Sequence, residues 1–148
     1  MLAAAAMVLI TAATALAADP GRRYYGDAPA NSSAPPFSEA VLVGDTLYVA
    51  GHIGLDPKTQ MAVAQVDDEA RAVMDATKHA LESAGFSIDD LVSVTIYCTD
   101  LTLYDGFNAI YRGYFHGHFP ARAFIGVKQL VRGAHFEIAA VATRQAKP

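Results

Sequence analysis

Apolar and polar positions change period several times along the chain, and each change marks an element. "FSEAVLVGDTLYVAGHIG" carries two short apolar runs on either side of Gly44-Asp45, which predicts two strands joined by a tight turn. "DPKTQ", residues 56–60, is a further turn, followed by room for one short strand near Met61 to Ala64. The period then lengthens. In "VDDEARAVMDATKHALESAG" the residues Ala70, Val73, Met74, Ala80 and Leu81 share one helical stripe, with Thr77 as its one polar member, acids in the first turn and Gly85 as a stop. "LVSVTIYCT" returns to a β-branched strand. "LYDGFNAIYRGYFHGHFP" sets Phe107, Ile110, Tyr111, Tyr114 and Phe115 at helical spacing until Pro120, and "RAFIGVKQL" and "AHFEIAAVAT" close the chain as strands.

The order is therefore β-β-α-β-α-β-β, an α+β domain with one mixed sheet and two helices on a single face. Two helices leave the opposite face bare. Because the last strands are apolar, that face is expected to meet another copy of the chain.

The domain should run from Phe37 to the end, residues 37–148. Residues 19–36, "DPGRRYYGDAPANSSAPP", show no apolar period and read as a flexible arm. Residues 1–18 are uncharged from Leu2 to Ala18 and finish on the small-x-small pattern of Ala15 to Ala17. This reads as a secretory leader cut near Ala17 or Ala18, giving a periplasmic or secreted product with no stable membrane insertion after cleavage. The alternative is an uncleaved anchor, for which an alanine-rich span of roughly 17 residues is marginal.

Charge and composition remove several function classes. The net charge of −4 lies wholly beyond the leader and no run of Lys or Arg occurs, which argues against a nucleic-acid partner. Cys98 is the single cysteine, so no intrachain disulfide can form, and its apolar surroundings read as those of a buried, inert thiol. "GHIG" lacks the lysine and the spacing of a phosphate loop, and no nucleophile-elbow serine is present. His52, His79 and His135 are scattered, while His116 and His118 sit two apart and point in different directions, so no metal site is expected. No organic cofactor is signalled.

Two charged residues interrupt the apolar pattern. Arg122 opens the run "RAFIGV" and reads either as a surface arginine with its stem over an apolar edge or as a bidentate clamp for a small carboxylate. Glu137 is the one acid in "AHFEIAAVA", and alternation puts it on the face opposite Phe136, Ile138 and Ala140. A solvated face is the plain reading. However, Ala139 and Val141 share Glu137's side, and a carboxylate in partly buried surroundings suits acid–base work.

"PPFSEAV", "LYVAGHIGLDPKT", "TDL…FNAIYRGYF", "FPARA" and "RGAHFEIAAVA" resemble, in order and spacing, the landmarks of the RidA/YjgF enamine/imine deaminases over about residues 35 to 144. The resemblance implies a chorismate-mutase-like α+β unit that assembles as a homotrimer, with clefts between neighbouring chains. It implies that Arg122 grips the substrate carboxylate, that Glu137 places or activates water, and that Gly51, Asn108 and Tyr111 bind substrate. Four departures stand out: Phe37 replaces the usual tyrosine, Ala50 the common serine, Ala123-Phe124 a hydroxyl-bearing pair, and Leu130-Val131 the "L-P" turn. Phe37 and Phe124 therefore line a more apolar pocket of altered shape.

The activity so implied is hydrolysis of a small 2-imino acid to a 2-keto acid and ammonia, as in 2-iminobutanoate/2-iminopropanoate deaminases, without cofactor. The alternative is a non-catalytic 2-keto acid binding protein of the same fold, favoured by the missing hydroxyls. An oligomeric interaction or chaperone-like role would use the aromatics of the second helix, which are more simply core. A chorismate mutase would want a second cation beside Arg122, for which Lys128 is the only candidate on the strand.

Overall fold

Gly44 adopts a φ of 59°, the conformation that a two-residue hairpin loop requires and that a side chain resists. The turn joins β2 (Ala40–Val43) to β3 (Thr46–Ile53), which pair antiparallel from Ala40↔Val49 to Val43↔Thr46. The computed structural model describes residues 21–26, 33 and 35–144, and the leader assigned to residues 1–18 lies outside the described residues. One part of the proposed arm is ordered as a strand. β1 (Arg23–Tyr25) pairs with the outer edge of β2, the tyrosines supplying strand propensity where composition suggested none.

The long helix α1 (Val66–Ser83) forms where the 3.6-residue stripe predicts it, and buries Ala70, Val73, Met74, Thr77, Ala80 and Leu81. The one polar member of the stripe is satisfied locally, the Thr77 hydroxyl donating to the Val73 carbonyl at 2.9 Å. At its end Phe86 N–H donates to the Leu81 carbonyl and Gly85 N–H to that of Glu82, with Gly85 at φ 77°. This is the paired reversal that a glycine permits.

β4 (Leu91–Cys98), β5 (Ala121–Gly126) and β6 (Phe136–Thr143) complete a six-stranded sheet of order β1-β2-β3-β6-β4-β5. β4 and β5 run parallel, joined through the helix α2 (Tyr104–Arg112), and the other pairs are antiparallel. The sheet is mixed, as expected. The strand foreseen near Met61 to Ala64 shrinks to a single bridge, Leu55↔Ala62. The second helix is shorter than its apolar spacing suggests. Gly113, Tyr114 and Phe115 donate to carbonyls three residues back, so the helix tightens and ends well before Pro120.

Alternate residues of the strands divide the sheet. Leu42, Leu47, Val49, Val94, Ile96, Phe136, Ile138 and Ala142 are buried under α1 and α2 with Phe107 and Tyr111. Each large aliphatic side chain so enclosed contributes roughly 1.5–3 kcal/mol. Cys98 belongs to this layer, fully buried, and burial pushes its thiol pKa up, as fits an inert group. The opposite face, with Tyr48, Thr95, Ala139 and Val141 around a shallow depression, is uncovered in the single chain.

One acid of the first turn of α1 is not on the surface. Glu69 is fully buried, and its carboxylate accepts the backbone N–H groups of His135 and Phe136, at 2.5 and 3.0 Å, while facing His135 Nδ1 at 2.7 Å. Helix α1 is thereby tied to the beginning of β6.

Candidate functional site

Pro120 releases the chain into β5, and alternation then decides which side each residue serves. Phe124 packs edge-on against Phe107 and Tyr104, with ring centroids 5.6 and 5.0 Å away, which fixes it on the helix face. Arg122, two residues earlier, shares that face. Its guanidinium stands 4.7 Å from the Tyr111 ring centroid and 5.8 Å from those of Tyr104 and Phe124, and donates to the Tyr104 hydroxyl at 3.5 Å. Aromatic faces attract such a cation and hold its plane without consuming its hydrogen-bonding fork.

α2 delivers Asn108, Tyr111 and Arg112 to the same place. With Tyr104, Phe119 and Pro120 they enclose a cleft of about 220 Å³ around Arg122. Tyr111 is 4% exposed and its hydroxyl has no hydrogen-bond partner. Burial pushes its pKa up to about 12, against the opposing pull of Arg122, so the group is a neutral donor throughout the biological range. Neither Arg122 nor Arg112 forms an ion pair among the described residues. The cleft therefore offers unpaired donors and a fixed positive charge, the chemistry that receives a carboxylate.

Glu137 lies elsewhere. It pairs across β6 with Ile53 on one side and Tyr97 on the other, on the open face of the sheet. β3 slips register between Val49 and His52, and in that irregularity Gly51 comes directly under the carboxylate, where a Cβ would collide with Glu137. Phe37 is 56% exposed just before β2. Phe37 apart, the residues named from the sequence thus fall into two groups: Arg122, Asn108, Tyr111 and Phe124 on the helix side, Gly51 and Glu137 on the other, and neither Phe37 nor Phe124 lines the cleft. One chain does not bring Arg122 and Glu137 to a common point.

Four members of the cleft, Tyr104, Arg112, Phe119 and Pro120, were not foreseen as site residues. Tyr104 stands three and seven residues before Phe107 and Tyr111, so the helical stripe could have revealed it. Phe119 and Arg112 meet the cleft only because the loop after α2 folds back, with the Arg112 guanidinium 5.7 Å from the Phe119 ring centroid. The second cation sought on β5 comes from the helix instead, Lys128 being exposed beyond the end of that strand and outside the cleft. His116 and His118 line a separate groove beside Asp89, whose carboxylate is 3.5 Å from His116 Nδ1. Among the described residues no three His, Cys, Asp or Glu side chains converge as metal ligands.

Residues 27–144 match the family described as Endoribonuclease L-PSP. The 2-iminobutanoate/2-iminopropanoate deaminase of Homo sapiens is 37% identical over 122 residues, spanning 82% of this chain and 89% of that one. A RutC family protein of Sulfurisphaera tokodaii is 36% identical over 110 residues, 74% of this chain and 88% of its own. Among solved structures, the YjgF gene product of E. coli superposes with a TM-score of 0.72 at 32% identity, over 82% of this chain and 97% of that one. E. coli TdcF with bound serine also gives 0.72, at 28% identity, over 76% and 91%.

Proposed function

The chain belongs to the Endoribonuclease L-PSP family, the RidA/YjgF proteins, and from that premise we propose that it hydrolyses 2-imino acids to 2-keto acids and ammonia. The observation that carries this reading is the unpaired Arg122 in a small cleft beside the partnerless hydroxyl of Tyr111. Arg122 holds the substrate carboxylate through two charge-assisted bonds, its guanidinium steadied over the Tyr111 ring. C2 of an imine is already electrophilic, so holding it in place supplies much of what the reaction needs. Water adds to C2, its two protons pass to nitrogen, the C–N bond breaks and ammonia departs. Glu137 moves those protons, a role worth about 10²–10⁴-fold in rate.

Glu137 does so from a neighbouring chain. Since Arg122 and Glu137 occupy opposite faces of one sheet, a shared substrate needs a second copy, and the uncovered apolar face around Tyr48 and Val141 supplies the surface for a homotrimer. The uncharged residues 1–18 support export, in which case the substrates are imines released by amino-acid oxidation outside the cytoplasm. Intact mass of the mature chain checks the processing.

The activity is tested by coupling the protein to an amino-acid oxidase in the presence of semicarbazide. The expected result is reduced semicarbazone and faster release of keto acid. Trapping that is equally strong with and without the protein, for small and large side chains alike, rejects the enzyme. The lost hydroxyls at Phe37 and Ala50 favour one rival, a 2-keto acid binding protein, which calorimetry would detect with no accompanying turnover.

A further inference from the structure

Arg112 ends α2 and lines the same 220 Å³ cleft as Arg122. The Tyr111 and Phe119 rings stack with centroids 6.3 Å apart and planes 25° from parallel. One guanidinium stands over each ring, Arg122 at 4.7 Å and Arg112 at 5.7 Å. Two cations thus share one aromatic strip, and neither has an acidic partner among the described residues. Like charges gathered in a small cleft repel each other and focus a positive potential into it. A single carboxylate answers one fork and leaves the other. The volume lies below that of sites for drug-sized ligands, so the occupant is a short molecule.

Resting on the deaminase reading, we propose that the preferred substrates are short 2-imino acids with a second carboxylate on the side chain. Arg122 takes the carboxylate next to the imine and Arg112 the distal one. Lining by Tyr104, Tyr111 and Phe119 would otherwise favour a large apolar side chain, so the two preferences can be set against each other directly.

The experiment compares imines made by oxidase from glutamate, from norvaline, which has the same length without the distal acid, and from phenylalanine. The expected kcat/KM favours the glutamate imine by about tenfold over the norvaline imine at low ionic strength, a charge-assisted contact's worth, and the advantage shrinks as salt rises. R112Q brings the ratio near one, and R112K, which keeps the charge but not the fork, retains part of it. Arg112 is exposed, so either variant leaves the core of α2 untouched. Equal turnover of the three imines, preference for phenylalanine, or a ratio that survives R112Q overturns the proposal. If no imine is turned over, the deaminase reading fails on its own account. Calorimetry with 2-oxoglutarate and 2-oxopentanoate on the same variants then still decides the second carboxylate, equal affinities overturning it.

Discussion

At Gly51 the missing side chain lets the Glu137 carboxylate lie against the main chain of β3, in the slip of register between Val49 and His52. A methyl group there strikes the mobile end of Glu137, which can swing away, rather than backbone, which cannot. Gly51→Ala should therefore lower kcat by about 10²-fold, the cost of misplacing a reacting group by roughly an ångström. Stability should change by no more than about 1 kcal/mol. Parallel turnover and urea-unfolding measurements check this, and equal damage to both would mean that Gly51 serves the fold and not the site. Arg122 and Glu137 were legible at this scale as charges that break an apolar pattern. Arg112 was not, because on a helix of apolar period it falls on what looks like a solvated side. Only the return of Phe119 on the loop that follows α2 makes it a lining residue, and no helical spacing encodes that return.

Elements with a sustained period were legible almost to the residue, and those decided by tertiary contacts were not. α1 has its stripe, its acids and its glycine stop, and the hairpin has Gly44. The second helix ends at Arg112 although apolar spacing continues through Phe115, because Tyr114 and Phe115 pack on the core from a turn as well as from a helix. β1 has no apolar alternation and exists because β2 offers it an edge. Glu69 looked like any first-turn acid, yet it fastens α1 to the start of β6 by accepting two backbone N–H groups while wholly buried. Glu69→Ala strands those donors and should cost about 2–4 kcal/mol in urea unfolding, with Glu69→Gln retaining part through its amide oxygen. A loss within about 0.5 kcal/mol would show the tie to be idle.

For the molecule as a whole, the separation of Arg122 from Glu137 by the thickness of the sheet makes complementation the sharpest assay of the proposed trimer. Arg122→Ala and Glu137→Ala chains, each inactive alone, should regain activity when unfolded and refolded together. In random one-to-one mixtures roughly a quarter of the sites combine an intact arginine with an intact glutamate from the next chain. Activity near that fraction supports a site shared between copies, and none at all points to a site within one. The mixed sheet and its helical cover were legible from element order, whereas the distance between Arg122 and Glu137 follows from strand order and register, which patterning alone does not reveal. At the far end of the same sheet, Arg23, Tyr24 and Tyr25 sit as a hem along Leu42, Val41 and Ala40. Any scission of the amino terminus that passes beyond Arg23 would bare the unsatisfied ladder of an apolar strand and recruit other strands to it, so the hem sets a downstream limit on the cut that the proposed export requires.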